Sequence, residues 1–239
     1  MNSSTAGSLE QDVLKHANEQ YAILQNYLIS VESQSLEHGE IESYVLQEGT
    51  ELLRRLLQAH LDLRAAREER QMDVMGSDKE TRPHLRQRCQ RQLESLFGEV
   101  VVTRLGYSTK KPGVGALYPA DGKLNLSVDK YSDGVRRRVA IESSKVSFAE
   151  TSQTIAETTG AEAGKRQCEE VSVRVAQDIE DFYLQRAQEG PESTTDLLEL
   201  TTDGKGIVMH GKDLREATAK AAEKAAQSRQ TRLSPGQKR

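Results

Sequence analysis

The sequence predicts a mostly α-helical chain with a small β component, and three observations carry that expectation. Apolar residues recur at spacings of three and four along long stretches of the chain, the signature of one-sided helices. A run rich in β-branched residues occurs at Glu99–Tyr107, bounded by Gly98 and Gly106, where a strand is expected. The composition is lean: 36% hydrophobic, 4% aromatic, 29% charged and no tryptophan. A typical globular domain is roughly 45–50% apolar on a count that includes glycine. Small helical cores are expected rather than one dense one.

The first helix spans residues 9–37, where Val13, Leu14, Ala17, Tyr21, Leu24, Leu28 and Val31 fall on one face. Residues 40–70 repeat the pattern with Ile41, Tyr44, Val45, Leu52, Leu53, Leu56, Leu57 and Leu61. Each stripe can bury itself against the other as an antiparallel helical pair, or serve as a homodimer surface, and the spacing does not choose between them. This N-terminal region is drawn at 1–80. Met75-Gly-Ser-Asp breaks the helix, and Arg82 to Arg91 form a short basic stretch. A basic linker with short strands follows over 81–130. Its Glu99–Tyr107 strand leads into a Lys110-Lys-Pro-Gly-Val-Gly115 loop, and Ala116–Leu126 is expected to return as a second, weaker strand or an extended arm.

Residues 131–190 read as a helix-turn-helix-like unit of three helices. Residues 131–144 place Val135, Val139 and Ile141 on one side, with Arg136, Arg137 and Arg138 wrapping the rest. Ser147-Phe-Ala-Glu150 is a capping box opening a second helix, which is expected to stop at Gly160 as a C-terminal cap. A third helix begins near Lys165 and runs past Tyr183, until Gly190-Pro191 ends it. The last segment, 191–239, holds an apolar β-type run at Leu200–Met209 and a basic C-terminal helix.

The net charge of −4 hides alternating blocks: about −8 over residues 1–80, +7 over 81–145, −8 over 146–200 and +5 over 201–239. The central basic block is where an acidic partner such as DNA is expected to dock. No apolar run approaches the roughly 18 residues that span a bilayer. The start, Met-Asn-Ser-Ser-Thr-Ala-Gly-Ser, lacks the basic and apolar parts of a signal peptide. A cytoplasmic, nucleoid-associated protein without a membrane partner is expected. Cys89 and Cys168 read as idle thiols in a reducing compartment.

Within the three-helix unit, Lys165, Arg166 and Gln167 open the third helix and could meet phosphates and base edges, with Cys168, Val171 and Val175 holding it to the second helix. The first residues of a recognition helix are the ones that reach into the major groove. An ordinary helical hairpin with a solvated basic end is the competing reading. The Arg136–Arg138 triplet favours DNA, because clustered arginines suit backbone contacts. Asp203, in Thr201-Thr-Asp-Gly204, has three readings. It is a hairpin turn residue, or part of a phosphatase-type loop in which Thr201 stands where an aspartate is needed, or the first carboxylate of a two-metal phosphoryl-transfer site. The histidines, His16, His38, His60, His84 and His210, show no ligand spacing.

Several stretches occur in one order: Glu51-Leu-Leu-Arg-Arg-Leu-Leu-Gln-Ala-His-Leu-Asp-Leu-Arg64, Leu96-Phe-Gly98, Arg104-Leu-Gly-Tyr107, Leu117-Tyr-Pro-Ala-Asp-Gly-Lys-Leu-Asn-Leu126, Tyr131-Ser132, Arg136-Arg-Arg-Val-Ala140, Lys165-Arg-Gln167 and Thr201-Thr-Asp-Gly-Lys-Gly-Ile-Val-Met209. Together they resemble the N-terminal half of bacterial insertion-sequence transposases of the ISKra family. The resemblance implies a first half that binds the terminal repeats of the element. It implies a second, RNase H-like half whose three acids hold magnesium ions (Mg2+) for strand cleavage and joining. Asp203 then corresponds to the first acid and metal ligand, on the first strand of an incomplete RNase H-like domain. Lys165, Arg166, Gln167, Arg136, Arg137 and Arg138 fall in the segment that would touch DNA.

The two remaining acids of the family pattern would lie beyond Arg239, so the expectation is a chain that binds DNA without cutting it and holds no stable Mg2+. A nicking assay on supercoiled plasmid with Mg2+ checks this. The expected result is intact plasmid; nicking that disappears on Asp203→Ala would refute the expectation. A free-standing helix-turn-helix regulator of the element is the alternative the same residues allow.

Overall fold

The computed structural model describes residues 3–188 and 214–228. Among the described residues the chain is mostly helical with one small antiparallel sheet, as expected. Residues 1–189 form one compact unit and residues 190–239 a second. In the second, the described element is a helix at Glu216–Ser228. The run at Leu200–Met209, with Asp203, lies outside the described residues.

In the first unit, α1 (Ser3–Leu28) and α2 (His38–Ala66) pack side by side. A capping box between Glu37 and Glu40 starts α2 by satisfying amides at its open end. The pair is antiparallel: Arg55 donates to the His16 carbonyl at 3.1 Å, Gln20 donates to Glu48 at 2.5 Å, and the rings of Tyr27 and Tyr44 meet at 4.1 Å. Ala17 and Ala59 are buried and keep the backbones close. The expected stripe is only partly used, because Leu14, Tyr21, Leu28, Leu53 and Leu56 remain exposed. On α2, Glu51 lies between Arg54 and Arg55 at 2.6 and 2.7 Å. The Arg54 hydrogen bond, opposed by burial and helped by Arg55, holds its carboxyl down at about 2.

The sheet departs from the expected arrangement. Glu99–Tyr107 is indeed a strand, β2 (Gly98–Ser108), but its partner precedes it in the chain: β1 is His84–Ser95, in the part of the linker read as the basic stretch Arg82–Arg91. Ala116–Leu126 is not a strand. Leu117 exchanges two hydrogen bonds with Tyr107, and then Pro119 opens a single helical turn, α3 (Pro119–Lys123). Proline fits that first helical position, since its missing N–H would have no partner there.

A two-residue loop, Leu96-Phe97, joins the strands between the paired Ser95 and Gly98. Gly98 takes φ +113°, a region a side chain would disfavour. The outer edge of β2 is covered by α2 rather than by a third strand. Gln58 donates to the Val101 carbonyl and accepts from the Val101 amide at 2.9 and 2.8 Å, and Glu68 accepts from the Leu105 amide at 2.7 Å. Side chains thus satisfy an edge that would otherwise template pairing with another chain. Leu57, Leu61, Leu93, Val100, Val102, Leu124 and Leu126 form the core beneath it.

After an extended segment, α4 (Asp133–Ser143), α5 (Phe148–Thr158) and α6 (Lys165–Val175) form a three-helix unit. Ser132 caps α4 through the Val135 amide, and the Ser147–Glu150 capping box opens α5 as predicted. Tyr131, Val135, Val139, Ile155, Ala161, Ala163, Cys168 and Val171 make its core, all 4% exposed or less. The third helix is broken by a 3-10 turn at Ala176–Asp178 before α7 (Ile179–Gln188). Gly160 is not a left-handed helix cap; α5 ends at Thr158, and Gly160 instead lies against the hairpin loop, its amide donating to the Leu96 carbonyl at 2.8 Å.

Candidate nucleic-acid interface

The linker between α5 and α6 spans residues 159–164, longer than a minimal turn, yet it is fastened at both ends. Thr159 Oγ1 donates to the Ile155 carbonyl at 2.7 Å and accepts from the Ala161 amide at 3.1 Å. Ser152 Oγ donates to the Ala163 carbonyl at 2.7 Å. Ala161 and Ala163 are buried, so the extra residues become part of the core. A fixed linker gives α6 a fixed orientation.

On α6, Cys168 and Val171 point into the core at 0% and 1% exposed, whereas Val175, expected to join them, is 43% exposed. Burial raises the Cys168 thiol, which keeps it protonated and unreactive. Lys165, Arg166 and Gln167 form the exposed first turn after Gly164, and no side chain caps that end. Free amides and the positive end of the helix dipole therefore meet solvent together with two cations. Arg166 pairs with Glu170 at 3.0 Å in an exposed i,i+4 contact, worth only a few tenths of a kcal/mol and readily exchanged for a phosphate. The outward face of α6 also carries exposed Glu169, Glu170 and Val173. The cations of this face near the linker are thus those of the first turn.

The arginine triplet is not one patch. Adjacent helical residues lie about 100° apart, so Arg136 and Arg138 face nearly opposite ways. Arg136 is half-buried and pairs with Asp129 at 3.7 Å and Asp133 at 3.5 Å. Asp129 is itself a hub, reached by Arg174 at 2.9 Å and by Ser127 Oγ at 2.9 Å. Burial pushes the Asp129 carboxyl up, but the Tyr131 amide, Arg174, Ser127 and Arg136 outweigh it and hold the carboxyl below its usual range. Arg136 is thus a structural cation. Arg137 and Arg138 are exposed and without an ion pair among the described residues, on the side of α4 turned toward Leu96 and Thr158.

Two further cations were not singled out by sequence reasoning. Arg86 and Arg88 are exposed on β1 with His84, Gln90 and Gln92, at an irregularity in the ladder between Arg86 and Cys89. Arg88 there takes φ +52°. Both lie within the basic Arg82–Arg91 stretch, which lacks the apolar alternation that marks a strand with one solvated face. A two-stranded ribbon has the dimensions to enter a major groove.

Among the described residues no three His, Cys, Asp or Glu side chains gather as metal ligands, and Asp203, the Mg2+ ligand that the family resemblance implies, is not among them. Among them, too, no helix is long and apolar enough to cross a membrane. No family model matches the chain, and no curated protein or solved structure is significantly similar to it.

Proposed function

We propose that this chain is the DNA-binding portion of an insertion-sequence transposase and that it engages the terminal repeats of its element through α6. One observation carries the reading. Lys165, Arg166 and Gln167 form an exposed, uncapped first helical turn, while Cys168 and Val171, the next residues around the helix, anchor it in a three-helix core. A helix so held presents a rigid cationic tip, and its linker is packed rather than loose. Arg86 and Arg88 supply phosphate contacts from the ribbon. The homodimer that the N-terminal stripes allow belongs to the same reading, supported by Leu46 and Leu53 of α2, which are 68% and 46% exposed.

The test is binding of the full chain to a labelled duplex carrying the terminal repeat of an ISKra-type element, against a scrambled duplex of equal composition. Affinity is expected to fall steeply as salt rises. Arg166→Ala should cost about 1–3 kcal/mol and relax discrimination between the duplexes, whereas Lys165→Ala should weaken both alike and reduce the salt slope by about 1. Equal affinity of Arg166→Ala and the unaltered chain for the repeat, or no binding at low salt, would refute the proposal.

A further inference from the structure

Helices α1 and α2 leave one side of their pair uncovered. The residues that join them are Gln20 with Glu48 at 2.5 Å, Tyr27 with Tyr44 at 4.1 Å between rings, and Arg55 with the His16 carbonyl. The next residue along a helix lies about 100° around it, and in an antiparallel pair that turn leads to the same side from both helices. Tyr21, Leu28, Val45, Gly49 and Leu56 therefore share one side, turned away from His16, Arg54 and Gln58. Leu14, Asn18 and Gln25 continue that side on α1, and Leu52, His60 and Leu63 on α2. None of these is an acid, a lysine or an arginine, in a chain that is 29% charged. Leu14, Leu28, Val45 and Leu56 are nonetheless exposed, and an apolar face of this kind marks an interaction surface.

The side carries a projection and a hollow that match. Tyr21 is 53% exposed, and beside it a methyl group on Gly49 would meet nothing within 4 Å. Val45, Leu52 and Leu56 rim that hollow along α2. Because Gln20 bonds Glu48, the ring and the hollow lie at the same height on the pair. A two-fold axis parallel to the helices, running between them, carries each ring onto the hollow of a second copy. It also sets α1 antiparallel to the partner's α2, with Leu14 near the partner's Leu56 and Leu28 near the partner's Val45. That is the knob-into-hole packing of helical bundles.

We infer that this side is a homodimer interface, a four-helix bundle in which each Tyr21 ring seats over the partner's Gly49. Leu14–Leu28 covers about 21 Å of α1 and Val45–Leu63 about 27 Å of α2, and two helices side by side are about 20 Å wide. The side offers roughly 500 Å² per copy and about 1,000 Å² in a dimer, the area that a specific interface clears. A face without charge gives a polyanion nothing to hold, whereas a second copy supplies the same apolar face with the complementary shape. Leu46 and Leu53 border it on the side of the hairpin loop. This inference rests on the homodimer in the proposed reading and gives it a geometry; it does not involve α6 or DNA.

The test is the mass of the full chain by sedimentation over a concentration series, with binding to the terminal repeat measured separately. A dimer is expected. Tyr21→Arg and Gly49→Glu should each weaken it by roughly ten-fold or more, since either buries an unpaired charge. An equimolar mixture of the two should restore a dimer with one copy of each. Arginine then lies over glutamate at one seat, and the other seat is unaltered. Both positions are open within one copy, and circular dichroism confirms that each variant stays helical. A monomer throughout would overturn the homodimer together with this interface and leave DNA binding standing. A dimer that both variants leave intact, or a loss that mixing fails to repair, would overturn this interface alone.

Discussion

Gly160→Ala is expected to destabilise the unit formed by residues 1–189 by about 1–3 kcal/mol, the usual range for forcing extra atoms into packed structure. A methyl group on Gly160 would sit 2.5 Å from the carbonyl carbon of Phe97, 2.6 Å from its oxygen and 2.7 Å from the Gly98 nitrogen. All three are backbone atoms, so no side chain can turn away. Relief requires the hairpin loop and the end of α5 to separate, which stretches the Gly160–Leu96 hydrogen bond. Glycine-to-alanine changes otherwise stabilise, by about 0.4–1 kcal/mol, through the unfolded chain. Gly49→Ala on α2 supplies that contrast: its methyl would meet nothing within 4 Å, and removing a glycine from a helix interior should gain about 0.5–1 kcal/mol. Urea unfolding of both variants tests the pair. A Gly160→Ala midpoint at or above that of the unaltered chain would show that the loop gives way freely.

That glycine illustrates what could and could not be read in advance. Its position at the end of an amphipathic run suggested a cap, but its role is set by a backbone more than sixty residues earlier in sequence. The helices were legible because burial on a helix leaves a local trace: Val135 and Val139, Thr151 and Ile155, and Cys168 and Val171 pair at spacings of four, four and three and are all buried. β1 left a weaker one. His84–Ser95 has one solvated polar face, and its other face includes Arg91, whose guanidinium is spent on the Ser127 and Asp129 carbonyls. Without an apolar alternation the strand looks like a basic linker. Among the expected DNA contacts, Lys165, Arg166 and Gln167 share one exposed turn. The arginine triplet divides, because the acids that neutralise Arg136 are contributed by Asp129 and Asp133 through tertiary geometry and a turn of helix.

A larger loss is expected from Asp121→Ala, about 3–5 kcal/mol, the range for breaking a buried ion pair from one side. Asp121, on α3, lies 2.7 Å from Arg104 and 3.4 Å from Arg91, two cations brought together by adjacent strands. The Arg104 side chain is only 7% exposed and its guanidinium lies 4.2 Å above the Tyr118 ring. Without the carboxylate, Arg104 keeps that ring and one long contact to the Val102 carbonyl at 3.5 Å, too little to replace lost hydration. Arg91 still has the Ser127 and Asp129 carbonyls, so the penalty falls mainly on Arg104. Asp121→Asn keeps the shape and removes the charge, and should cost most of the same amount. Adding Arg104→Met to Asp121→Ala should recover much of the loss, because it is the stranded cation that is costly and not the missing pair. Chemical unfolding of the two single variants and the double variant closes the cycle. If Asp121→Ala alone stays within about 1 kcal/mol of the unaltered chain, as an exposed pair would, then water reaches Arg104 and α3 does not seal this side of the sheet.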